Sequence, residues 1–400
     1  MKILFLSWWF PYPPDNGSRI RIFNLIKYLS RQHEITLLSF IQDERDREYV
    51  SILEDYCQEV HILPGREFQP WSLKGIMGFL SPRPRYFVDT YSPAMQRLVQ
   101  RAFAYKQFDT VIVSQIAMVP YAVGLNGTPK ILEELELSLS RDQFHSSRGL
   151  TGRVRWGFSW WKTIHFTARL LRGEFQACTV ASKQEQANVF SIVPEYQPVV
   201  IIPNGVDLDF YNGNFGVPEP ETLVFSGVLT YSANFDAMSF FLKDIYLLIK
   251  AVRPGVTLRI TGRTEGVPIH TLPQRDGVVF TGYLDDIRPC VAQSQVSVVP
   301  LRVGGGTRLK ILEAMALGTP VVSTSKGAEG LDVTPGEDIL IADEPAEFAD
   351  AVLHLLDDER LRARLAANGR RLVSEKYDWE HIGQKLDHLL QEIVENHSWR

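Results

Sequence analysis

VSVVPLRVGGGTRLKILEAMALGTPVVST, residues Val296 to Thr324, decides the reading of the fold. VSVVPL reads as a strand and Gly304–Gly306 as a strand-to-helix turn. Thr307 reads as the N-cap of a helix that runs to about Leu317. Gly318 and Pro320 end that helix, and PVVST is the next strand. Strand, crossover helix and strand make a βαβ unit, so the sheet is expected to be parallel. The turn aims the free N–H groups of the helix beyond the strand end, where they form an anion site. Arg308 and Lys310 add cations in the first turn. Cations there oppose the helix dipole, so an anionic ligand explains them better than helix stability does. Glu313 stands among apolar neighbours and must accept hydrogen bonds if buried. Its partner is either Lys310, three positions earlier, or a ligand's hydroxyls.

The same alternation extends outward through the chain. Strands are expected at Lys2–Trp8, Glu34–Phe40, Glu59–Pro64, Asp109–Gln115, Pro129–Glu136, Ala177–Ser182 and Val199–Gly205. A second series follows at Thr222–Gly227, Val256–Gly262, Gly277–Gly282, Val296–Leu301, Pro320–Thr324 and Asp338–Asp343. Between the two series lies PEYQPVVIIPNGVDLDFYNGNFGVPEPET, which holds five of the 23 prolines and reads as a hinge. The expected architecture is α/β: two Rossmann-like domains facing each other across a cleft, with ligands beyond the carboxyl ends of the strands. Residues 1–195 form the first domain and 196–375 the second. Residues 376–400 are expected as a helix crossing back to the first.

Composition narrows the function. With 400 residues and 45% hydrophobic content, two cores are expected rather than one. A net charge of −5 gives no basic excess for nucleic acid. Cys57, Cys178 and Cys290 are far apart and form no CxxC pair, so neither a zinc site nor a disulfide framework is expected. The N-terminus MKILFLSWWFPYPP lacks a small-residue cleavage site and reads as a first strand, hence a cytoplasmic protein. No apolar run reaches the ~20 residues of a membrane span. WSLKGIMGFLSPRPRY (Trp71–Tyr86) mixes apolar and basic residues; it reads either as a helix packed on its own domain or as a peripheral contact with a membrane surface. WGFSWWKTIHF (Trp156–Phe166) reads as core or as an acceptor platform.

GGGTRLKILEAMALGTPVVST with AEGL (Ala328–Leu331), VIIPNGVD (Val200–Asp207), NGSRIRIFNLIKYLS (Asn16–Ser30) and FSGVLTYSANFDAM (Phe225–Met238) occur in this order. Together they closely resemble the group 1 glycosyltransferases, retaining enzymes of the GT-B fold, over essentially the whole chain. The resemblance implies a nucleoside-diphosphate sugar as donor and a saccharide or lipid-linked saccharide as acceptor, in cell-surface or exopolysaccharide synthesis. No cofactor or metal is expected. Glu313 matches the residue that binds the donor ribose. Arg308 and Lys310 fall beside the diphosphate, Gly17 and Gly227 lie against it, and Tyr283 and Leu284 fall where the base edge is read. The family often has a second Glu eight residues before the ribose Glu; here that position is Gly305. This glycine-rich form resembles one branch of the family, with Gly305 and Gly306 offering backbone N–H groups instead.

In such a reaction negative charge builds on the leaving phosphate, and fixed cations with N–H dipoles stabilise it. Related enzymes keep a His or acidic residue near the reacting sugar at a strand end. In KILEELE that part is expected of Glu136, then Glu133, with alternation placing Glu134 and Glu136 on one face. Arg21 is a further expected contact to phosphate or acceptor. Asp207-Leu208-Asp209 has the spacing of a metal-binding Asp-x-Asp but sits inside the hinge motif. A dinucleotide oxidoreductase is excluded by the single glycine in FPYPPDNGS, and a P-loop kinase by the lack of GxxxxGK[ST]. A nucleotide-sugar 2-epimerase and a non-catalytic nucleotide- or glycan-binding partner remain as alternatives, the latter motivated by Gly305.

Overall fold

A computed structural model describes residues 1–137, 150–304 and 308–398, with the side chains of 150–155 and 398 left aside. It divides into two compact units: Met1–Pro203 with Ile382–Arg400, and Asn204–His381. Sequence reading put the divisions at 195/196 and 375/376. No helix among the described residues is long and apolar enough to cross a membrane.

The first unit is built on seven strands: β1 (Lys2–Ser7), β2 (Glu34–Ile41), β3 (Glu59–Pro64), β4 (Thr110–Ser114), β5 (Lys130–Glu133), β6 (Ala177–Val180) and β7 (Val199–Ile201). Their order is β3-β2-β1-β4-β5-β6-β7. The pairings are parallel throughout, as β1 with β2 and β4 shows at the centre. The strands β1 and β4 are almost wholly buried and largely apolar, as expected of strands covered on both faces, and β5 is buried too, with Lys130 and Glu133 at its ends.

The second unit has β8 (Glu219–Ser226), β9 (Thr257–Thr261), β10 (Val278–Gly282), β11 (Ser294–Val299), β12 (Val321–Ser323) and β13 (Leu340–Ile341), in the order β10-β9-β8-β11-β12-β13. Each sheet has a topological switch point, between β1 and β4 in the first and between β8 and β11 in the second. The crevice outside the strand ends at a switch point is where open α/β sheets bind ligands. In the second unit the segments leaving β8 and β11 are those that carry Gly227 and Gly304.

The helix after β11 spans Leu309–Ala316, with Arg308 as N-cap residue. The expected cap, Thr307, and the glycines Gly305 and Gly306 lie outside the described residues. Ile311, Leu312, Met315 and the flanking alanines are buried, which seats the helix on the sheet. Behind it packs the helix Glu359–Lys376, whose Gly369 meets Met315: a Cβ there would lie 2.9 Å from Met315 Cγ.

The final helix, Trp379–Ser398, enters the first unit at Ile382. Gly383 is where it meets Tyr28, since a Cβ at Gly383 would fall 2.1 Å from the ring. One turn on, Asp387 bonds His33 Nε2 at 2.6 Å.

Candidate functional site

Four features of the second unit converge at the switch-point ends of β8, β9 and β11. Gly227 follows β8 with φ of 154°, and a side chain there would meet Asn234 Nδ2 at 2.8 Å and Lys310 Nζ at 2.9 Å. Gly262 follows β9 with φ of 111°, and a Cβ would strike the Gly227 carbonyl at 2.7 Å. Gly304 follows β11 with φ of 103° and packs against Ala233 and Tyr231. At these positions only glycine combines the backbone conformation with the close approach.

Lys310 is held in this corner. Its Nζ donates to Asn234 Oδ1 at 2.7 Å and stands 4.2 Å from the Phe225 ring centroid. Asn234 in turn donates to the Val228 carbonyl at 2.9 Å. Burial, and then the Arg308 guanidinium, pull the Lys310 ammonium down from 10.5 to about 7, while Glu313 opposes the shift. Among the described residues no carboxylate bonds directly to this ammonium at the start of the helix, a place that an anion completes.

Arg308 faces inward. It is buried, and its Nη2 donates to the carbonyls of Gly304 and Lys326, both at 3.0 Å, with Glu329 at 3.6 Å. It therefore ties Gly304 to the loop after β12 and adds positive potential from behind.

Glu313 is half-buried and bonds the Tyr211 hydroxyl. Burial raises its carboxyl above the ordinary value, against the pull of Tyr211 and Lys310. Burial likewise raises the Tyr211 phenol, and the neighbouring Glu313 adds to this. Tyr211 belongs to the short helix Leu208–Tyr211, capped by Asp207, whose side chain accepts from Phe210 N at 3.2 Å. The Asp-x-Asp spacing is thus a helix cap inside the hinge motif. Tyr283, after β10, is exposed, and Arg263 stands 5.1 Å from its ring; Leu284 beside it is half-buried.

At the first unit's switch point, Asn16 caps the helix Gly17–Leu29, accepting from Arg19 N at 3.1 Å, so Gly17 is its first residue. Arg19 ties the helix to Asp46, beyond β2, at 3.1 and 3.3 Å, and its Nη1 donates to the Tyr12 carbonyl of the preceding loop at 3.4 Å.

The acidic strand end differs from the alternation expected for KILEELE. The strand stops at Glu133, and Glu134 turns into the left-handed region with φ of 55°. Glu133 and Arg21 are both fully buried and joined at 2.6 Å. The other Glu133 oxygen accepts from Ser114 Oγ at 2.9 Å, and Arg21 Nη1 donates to the Ile202 carbonyl at 2.8 Å. Both oxygens of Glu133 are therefore engaged from within the fold, and Arg21 is a buried clamp rather than a surface contact. Both side chains therefore turn into the fold, where sequence reading had expected contacts to phosphate or acceptor. Glu136 is exposed.

Glu134 is the carboxylate that sequence reasoning passed over. Burial, outweighing Arg21 and helped by Glu133 and Glu136, lifts it to about 7. Its Oε2 accepts from Gln115 Nε2 at 3.4 Å, and Gln115, just after β4, is also left-handed with φ of 70°. Two strained non-glycine residues therefore meet at the carboxyl ends of neighbouring strands, and such strain clusters at functional sites.

The two parallel sheets, of seven and six strands, are those of a GT-B fold. Residues 220–358, within the second unit, match the family model of the glycosyl transferases group 1. An uncharacterized 44.6 kDa protein in the cps region of Klebsiella pneumoniae is 20% identical over 95% of this chain and 97% of that protein. The lipopolysaccharide core biosynthesis glycosyltransferase LpsE of Rhizobium meliloti is 35% identical over 35% of this chain and 44% of its own length. Among solved structures, Anabaena HepE in complex with UDP and glucose superposes with a TM-score of 0.66 at 19% identity, covering 98% of this chain and 100% of that one. That likeness establishes the shared fold.

Proposed function

We propose that the chain transfers a sugar, with retention and without a metal, from a nucleoside-diphosphate sugar to a saccharide or lipid-linked saccharide of the cell surface. The observation that carries this reading is one helix, Leu309–Ala316, that presents an ammonium near its start and a carboxylate one turn on. Lys310 takes the diphosphate beside Gly227, and Glu313, oriented by Tyr211, accepts the ribose hydroxyls. Gly17 lies against the diphosphate, and Tyr283 with Leu284 lies at the base. Gly305, Gly306 and Thr307, which precede the helix in sequence, are assigned to the same donor site.

As the C1–O bond breaks, charge moves onto the leaving phosphate. Lys310, already protonated by the bound diphosphate, offsets that charge, and Arg308 adds field from behind. Of the carboxylates in KILEELE, Glu134 and Glu136, which lie nearer the surface than Glu133, are assigned to the acceptor side. HepE, whose structure holds UDP and glucose, and LpsE, named for lipopolysaccharide core synthesis, support the donor and acceptor classes.

Thermal unfolding with UDP, GDP, ADP, TDP and CMP tests this. One nucleoside diphosphate is expected to raise the transition, adding about 2.7 kcal/mol at a hundredfold excess over its Kd. Glu313→Ala should abolish that shift while leaving the unliganded transition within a few degrees. No shift with any nucleotide, or an undiminished shift in Glu313→Ala, would overturn the donor-site assignment.

A further inference from the structure

The segment Trp71–Tyr86 is ordered in an unusual way. Its short helix, Leu73–Met77, buries little but Gly75. Trp71 is 82% exposed and Leu80 92%, with Leu73 and Met77 also exposed. The apolar side chains point outward, and what holds the backbone is polar and lies inside. Lys162, itself buried, donates to three carbonyls: Gly78 at 3.1 Å, Phe79 at 2.8 Å and Ser81 at 2.7 Å. Arg85 donates to the Gly75 carbonyl at 2.7 Å and to that of Pro70, and lies 3.8 Å from the Phe79 ring. Asp89, fully buried, accepts from Gln69 N at 2.8 Å and from Ser72 Oγ.

The surface continues onto the helix Leu150–Gly173. The Lys162 ammonium that caps the loop also stands 4.6 Å from the Phe158 ring. Phe158 stacks on Trp161, and both are exposed. One buried cation therefore locks two segments into a single outward-facing apolar patch.

Charge says what covers it. The chain as a whole carries −5, yet residues 66–86 hold Arg66, Lys74, Arg83 and Arg85 against the single carboxylate of Glu67. Arg66, Lys74 and Arg83 are exposed beside the apolar side chains. Tryptophan and aliphatic side chains rimmed by cations fit the interfacial zone of a bilayer rich in anionic lipid.

We propose that Trp71, Leu73, Met77 and Leu80, with Phe158 and Trp161, form a preorganised membrane-docking face whose exposed basic residues select anionic lipid. This assignment does not depend on the donor reading, because vesicle binding requires no nucleotide. A protein partner competes for the same apolar surface, but the cationic rim on an acidic chain favours the bilayer.

Flotation of the full chain with phosphatidylglycerol–phosphatidylcholine vesicles, against phosphatidylcholine alone, tests it. The chain is expected to float with the anionic vesicles, less so as salt rises. Leu80→Glu with Trp71→Glu should abolish flotation. Lys74→Glu and Arg83→Glu should each lower affinity at least about fivefold. Leu247→Glu, at an exposed leucine of the second unit, should leave it unchanged. An unaltered thermal transition checks that each variant folds. No flotation, equal flotation with neutral vesicles, or flotation undiminished in the double variant would each overturn the proposal. A native dimer that the double variant dissolves, without vesicle binding, would assign the patch to a second copy instead.

Discussion

Lys310 is the residue whose protonation should be visible in solution. Its folded value, about 7, lies below the ordinary 10.5. Between these values the unfolded chain holds the proton and the folded chain releases it. Stability is therefore lost as pH falls from about 10.5 toward 7, and levels off below. An anionic diphosphate favours the protonated form, so binding above pH 7 takes up a proton and weakens as pH rises. Calorimetry at pH 8 in two buffers of different ionisation enthalpy should register that uptake. Lys310→Met should lose it and bind roughly ten- to hundredfold more weakly. Glu134 works with the opposite charge. Its folded value is raised to about 7 from 4.5, so the unfolded chain gives up the proton first and stability falls as pH rises between them. Glu134→Gln should remove that slope in urea titrations, and if the carboxylate serves the acceptor it should lower kcat while donor affinity holds. Arg21→Met leaves Glu133 as an uncompensated buried charge and should cost about 3–5 kcal/mol. Adding Glu133→Leu should recover much of that loss, as measured by denaturant midpoints.

At the scale of elements, glycines decide how helices seat. Ala normally replaces Gly inside a helix with a gain of about 1 kcal/mol. Gly383 is an exception, because a Cβ would enter the Tyr28 ring. Gly383→Ala should instead cost about 1–3 kcal/mol and loosen the final helix, read out by unfolding and by limited proteolysis near residue 381. The helix Leu309–Ala316 was legible from its glycine punctuation and apolar run, although its first described residue follows Arg308 rather than Thr307. The acidic strand end was not legible in the same way. Alternation assumes that the strand continues, and here the chain turns left-handed at Glu134, so the faces assigned to Glu134 and Glu136 lost their basis.

For the whole molecule, each unit carries its own parallel sheet and switch point. Hydrogen exchange with the stabilising diphosphate should slow at 227–234 and 309–316, the segments that frame Lys310. Slowing at 16–20 as well is the outcome that the proposed part of Gly17 requires; unchanged exchange there would confine the donor to the second unit. The sequence by itself determined the thirteen strands of the described residues, their division into two series and the helix that bears Lys310 and Glu313. Those features are written in local periodicity and in glycine and proline punctuation, which act over a few residues. Tertiary structure alone decided the partners. Lys310 turns to Asn234, 76 positions away, and Arg21 to Glu133, 112 positions away. Such pairs are set by which strands the crossovers bring together and by the high cost of leaving a buried charge unpaired, and neither can be read from neighbouring residues.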